Sequence, residues 1–119
     1  MAITSILQRI AKRLNGFRGI VLIGKDALIV EKYGVEDPSF DALAVEFLSL
    51  LNKFDVLLDE RDNGPVAEAT IQGTAVNYFM TGIDENYILF LGAVKDENIG
   101  RCRFELQKAA MDLRRELAE

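Results

Sequence analysis

The 119-residue sequence has no histidine, no tryptophan, one cysteine and two prolines. Each shortage removes a class of chemistry. Without histidine the chain holds no Ser-His or Cys-His catalytic pair and no histidine metal site of its own. A lone cysteine, Cys102, allows neither an intrachain disulfide nor a cysteine metal cluster. No apolar run reaches about 18 residues and no charged-then-apolar leader opens the chain. A soluble, cytoplasmic protein with no membrane insertion is therefore expected. Basic charge is also scarce: 14 Lys and Arg face 19 Asp and Glu, a net −5. That balance argues against nucleic acid as a partner, since phosphate binding needs a basic patch. The basic residues gather at the two ends, Arg9 to Arg18 and Arg101 to Arg115, and leave the middle acidic. The length suits one domain, residues 1–119, with a core of its own, and not comfortably two.

What the sequence has in excess is apolar surface on one helix, expected over residues 39–58. Phe40, Leu43, Ala44, Phe47, Leu51, Phe54 and Leu58 recur at helical spacing and make a main stripe. A second stripe on roughly the opposite side runs Ala42, Val45, Ser49, Asn52 and Val56. Its spacing of 3, 4, 3, 4 is that of a helix–helix seam. Leu48, Leu50 and Leu57 fill ground between the two. A helix apolar on most sides is buried on most sides. In so short a chain the second burial is expected from another chain, the alternative being another helix of the same chain.

The rest reads as α-β-β-α-β-β-β-α. A first helix over residues 4–14 turns Ile3, Ile6, Leu7, Ile10 and Leu14 inward, and Gly16 is expected to cap it in the left-handed conformation. Strands follow over 17–23 and 27–33, the first apolar throughout Ile20–Ile23 and so covered on both faces. Ser39 is expected to cap the long helix. Residues 66–72 alternate, with Ala67, Ala69 and Ile71 on one face. Strands over 75–81 and 86–93 come next. A last helix over 97–117, capped by Asp96, buries Ile99, Cys102, Leu106, Ala109, Ala110, Leu113 and Leu117. Three helices and five strands point to an α+β fold, an antiparallel sheet with helices on both faces.

No catalytic constellation emerges. Gly19 to Asp26 nearly spells a phosphate-binding loop, but Asp26 stands where a magnesium-holding hydroxyl belongs, and the intervening aliphatics form a strand. The acidic pairs Glu36/Asp37, Asp59/Glu60, Asp84/Glu85 and Asp96/Glu97 lie in turns or at helix starts, where acids serve local needs. Tyr33, Tyr78 and Tyr87 lack the basic neighbours of an RNA-stacking platform. No metal, no cofactor and no catalytic residue are expected.

Two stretches carry a family resemblance. Phe17 to Val30 resembles the first hairpin of the roadblock/dynein light chain superfamily, with Ala27 where relatives often have Gly. Glu97 to Leu106 resembles that family's Asn-x-Gly-x-x-Arg-x-x-Leu opening of the last helix. Within the superfamily the chain is similar to the bacterial MglB-like proteins. The resemblance implies a single roadblock-type, profilin-like domain with strand order 2-1-5-4-3. It puts helix 2 on one face of the sheet and helices 1 and 3 on the other. It implies a homodimer in which third strands pair and second helices pack, so Ala42, Val45, Ser49, Asn52, Val56, Ala67, Ala69 and Ile71 are the expected interface. It implies a non-enzymatic regulator of a small Ras-like GTPase, for which Glu46, Lys53 and Asp55 are candidate contacts. A structural adaptor that leaves nucleotide turnover unchanged is the alternative, and a small-molecule sensor a more distant one.

Overall fold

The computed structural model describes residues 3–35 and 37–118; Glu36 of the first acidic pair lies outside them. The elements are α1 (Ile3–Arg13), β1 (Phe17–Gly24), β2 (Ile29–Tyr33), α2 (Pro38–Asp59), β3 (Glu68–Gln72), β4 (Val76–Gly82), β5 (Tyr87–Val94) and α3 (Ile99–Leu117). The five strands form one antiparallel sheet in the order β2-β1-β5-β4-β3. The last strand in sequence is therefore the middle one in space.

Strand periodicity sorts the core into two layers. Ile20, Leu22, Leu89 and Leu91 point to the side where α1 and α3 bury Leu7, Ile10, Leu106 and Leu113. Val21, Ile23, Ile88 and Phe90 point to the other side, under Ala44, Leu48 and Leu51 of α2. Alternate residues of each inner strand thus serve opposite layers, and the run Ile20–Ile23 is buried throughout, as its continuous apolar character requires. Arg13 reaches Glu105 at 3.3 Å and Arg9 pairs with Asp112, so α1 is fastened to α3 by charge as well as by packing.

An aromatic cluster seats α2. Tyr78 and Phe90 stack with ring centres 5.5 Å apart, and Phe40 and Phe47 of the helix tilt against Phe90 at 5.3 Å. Gly92 lies beneath Phe40, where a Cβ would meet the ring at 3.0 Å.

The ends of the elements differ from expectation for local reasons. Asp37, not Ser39, caps α2; its carboxylate accepts from the Ser39 N–H at 2.9 Å and the Ser39 hydroxyl at 2.7 Å. Pro38 lacks an N–H and fits the first helical position, which moves the cap one residue before it. Asn98, not Asp96, caps α3, accepting from the Arg101 N–H at 2.9 Å. Residues 94–97 are used in a turn, with the Glu97 N–H donated to the Val94 carbonyl. Gly16 is not left-handed. Its lack of a side chain admits Val94, whose Cγ2 would lie 2.3 Å from a Cβ. The second and third strands are shorter than the apolar pattern suggests, starting at Ile29 and Glu68. Residues 24–28 are taken up by a turn in which Ala27 holds φ +72°.

Candidate protein-interaction surface

Among the described residues the third strand pairs only with β4, leaving its other edge open. An open edge offers a row of unpaired N–H and C=O groups to another strand. Residues of β3 alternate across the sheet. Glu68 faces α3, where Arg103 donates to it through Nε at 2.6 Å and Gln107 also donates. Ala69 and Ile71 face the α2 side.

On that side the sheet and α2 do not close. The core line of the helix is Ala44, Leu48 and Leu51. Phe54, assigned by spacing to the buried stripe, is 57% exposed, and Leu50, Leu57 and Ile71 are exposed beside it. A hollow of about 290 Å³ opens here, lined by apolar side chains including Phe47, Leu50, Phe54, Ala69, Ile71 and Met80. Large apolar groups standing together in water beside an unpaired strand are the mark of a contact surface.

The other flank of α2 is different. Val45, Ser49, Asn52 and Val56 line a hollow of about 470 Å³ against Lys25 and Ala27 of the β1–β2 turn. The residues expected to form one interface are thus parted by the width of the helix. The seam of Val45 to Val56 looks toward the first hairpin, and Ala69 and Ile71 look toward the Phe47–Phe54 flank. Ala42 and Ala67 are exposed and line neither hollow. Among the described residues no other helix packs along α2, so neither flank is covered by a helix of the chain.

Of the candidate partner contacts, Glu46 and Lys53 are exposed on the outer face. Asp55 is half-buried and accepts the Val66 N–H at 2.7 Å, so it ties α2 to the segment leading into β3. The acids in turns act locally: Asp26 accepts from the Leu28 N–H, and Asp84 from the Asn86 and Tyr87 N–H groups. Gly19 to Gly24 are strand residues, so no phosphate cradle forms. Burial, and then the nearby Glu97 carboxylate, push the Cys102 thiol up to about 11, the behaviour of a packed and unreactive sulfur. Among the described residues no cluster of three or more metal-ligating side chains occurs, and no helix is long and apolar enough to cross a membrane.

Neither the exposed Phe54 nor the buried Glu105 was anticipated. A helix with apolar residues on nearly every side does not say which side meets the sheet. Glu105 is three residues after Cys102 and four before Ala109, so helical spacing does place it on the buried face; only its charge, which Arg13 answers, disguised the position.

No protein-family model matches the sequence, and no curated protein matches it. Solved structures do. A Roadblock/LC7 domain from Streptomyces avermitilis superposes with a TM-score of 0.88 at 16% identity, over 97% of each chain. The chain has the Roadblock/LC7 fold. Myxococcus xanthus MglB, a second neighbour, gives a TM-score of 0.89 at 16% identity, over 98% of this chain and 94% of that one. An MglB structure described as having a tetrameric arrangement gives 0.86 at 18% identity, over 95% and 85%. The free edge of β3 and the Phe47–Phe54 flank of α2 lie together at one edge of the sheet, and the Val45–Val56 flank faces the first hairpin.

Proposed function

We propose that this chain is a non-enzymatic regulator of a small Ras-like GTPase, acting as a homodimer built on the β3 edge and α2. The observation that carries the reading is the apolar hollow between Phe54 and Ile71, which lies along an unpaired strand. Pairing two β3 edges antiparallel about a two-fold axis normal to the sheet extends the sheet and brings two such hollows together. The tetrameric arrangement described for an MglB neighbour supports self-association on this fold. The α2 residues nearest that axis are then Leu50 and Phe54, while Val45 and Val56 remain toward the hairpin with Lys53 at their rim. The GTPase reading rests on the resemblance to MglB-like proteins.

Two experiments test it. In analytical ultracentrifugation, Phe54→Asp with Ile71→Lys is expected to give monomers, because each copy would bury unpaired charges at the axis. Val45→Glu with Val56→Glu is the test of the other flank. If the first pair stays dimeric and the second becomes monomeric, the seam is Ala42 to Val56. If both stay dimeric, the homodimer on α2 is wrong. Pull-downs in GDP and in a non-hydrolysable GTP analogue are expected to capture a small GTPase with the analogue, and adding the protein should then accelerate GTP hydrolysis. A bound GTPase whose turnover is unchanged identifies an adaptor instead.

A further inference from the structure

The chain is acidic overall, yet one layer is not. Together α1 and α3 carry eight Lys and Arg against three Asp and Glu, a net +5 in a protein of net −5. Across the sheet, α2 carries Lys53 against four acids, a net −3. The helices on the two sides of the sheet therefore carry opposite net charge, although Glu31 and Glu68 of the sheet face α1 and α3 and Lys32 faces α2. On the outer side of α3, Arg101, Phe104, Lys108, Met111 and Arg115 follow one another at spacings of 3, 4, 3 and 4, so they share one face over about 21 Å. All five are exposed, Phe104 at 61% and Met111 at 55%. Among the described residues neither Arg101 nor Lys108 has an ion-pair partner, and Arg115 reaches Asp112 only at 3.9 Å.

The alternation matters. Cations occupy the first, third and fifth places and large apolar tips the second and fourth. Were this a seam for a partner helix, three cations would be buried along its centre at high cost. Were it a site for phosphate alone, Phe104 and Met111 would have no use. A layer of anionic headgroups over hydrocarbon satisfies both sets: the cations stay at headgroup depth and the apolar tips reach below them. We infer that the outer face of α3 docks peripherally on an anionic lipid surface, with Arg101, Lys108 and Arg115 supplying attraction and Phe104 and Met111 supplying insertion. This surface is separate from the one on α2. An antiparallel β3 pair keeps each face of the sheet on its own side, so a dimer would present two such stripes to the same plane.

The test is co-sedimentation of the full chain with vesicles of phosphatidylcholine alone and of phosphatidylcholine with phosphatidylserine in equal parts. Binding is expected only to the second, and raising the salt should release it. Lys108→Glu with Arg115→Glu should weaken that binding by about tenfold or more. Phe104→Ser, which leaves the net charge unchanged, should weaken it as well. All three positions are exposed, and thermal melts close to that of the parent chain show that the variants fold. Failure to sediment with phosphatidylserine vesicles overturns the inference and leaves an acidic protein face as the occupant. Undiminished sedimentation of the charge-reversed variant overturns it too.

Discussion

Ala27 is where a single residue works against the backbone. It holds φ +72° in an exposed turn, with its N–H donated to the Gly24 carbonyl at 2.9 Å. A Cβ in that conformation costs about 1–2 kcal/mol, and glycine's greater freedom in the unfolded chain offsets part of the gain. Ala27→Gly is expected to stabilise the protein by about 1 kcal/mol, measured by denaturant titration; a loss of stability would show that the side chain packs usefully. Cys102 makes a second residue-scale prediction. Its thiol is held near 11 against an ordinary 9.0. Between those values the native state binds more protons than the unfolded state, so this residue's contribution to stability falls as pH rises from about 9 to 11. The stability difference between the parent chain and Cys102→Ala, followed by denaturation across that range, should shrink. If it is flat, the sulfur is not shielded. The position of Cys102 in a buried stripe was legible in the spacing of α3. The strain at Ala27 was only half legible, since resemblance pointed to glycine there but the dihedral angle is a fact of the folded turn.

At the scale of the element, α2 shows what patterning can and cannot say. Its existence, length and excess of apolar surface follow from periodicity alone. Its rotation about its own axis does not. Phe54 and Leu48 are both apolar, and the helix turned Leu48 down because Ala44, Leu48 and Leu51 make the line that fits over Val21, Met80 and Phe90. Each helix cap stands two residues from the expected one for a related reason: Ser39 and Asp96 are good capping types, but Pro38 and the 94–97 turn decide which residue stands at the boundary. The far end of α2 is held by Asp55, whose carboxylate takes the Val66 N–H. Asp55→Ala would leave that donor without its partner and should cost about 1 kcal/mol or somewhat more in unfolding free energy. Asp55→Asn keeps an acceptor and should recover most of it. Equal losses for both would show that the charge, and not the acceptor, matters.

At the scale of the whole molecule, the sheet order has a consequence for how the chain is made. The first hairpin, β1 with β2, and the second, β3 with β4, share no strand-to-strand contact; each meets its neighbour only through β5. That joining strand is Tyr87–Val94, and α3, which seals one layer, follows it. A chain emerging from the ribosome therefore holds two separate ribbons and two amphipathic helices, α1 and α2, with nothing to close them until β5 has been synthesised. A version ending at Glu85 is expected to lack a cooperative thermal transition, and a peptide of residues 86–119 supplied in trans should restore one. A truncated chain that melts cooperatively by itself would mean that half the sheet is an independent folding unit. Until β5 is in place the α2 layer exposes Val21, Met80 and Leu51 together with the flank that stays open in the finished fold, so premature pairing between nascent copies is the hazard built into this order of strands.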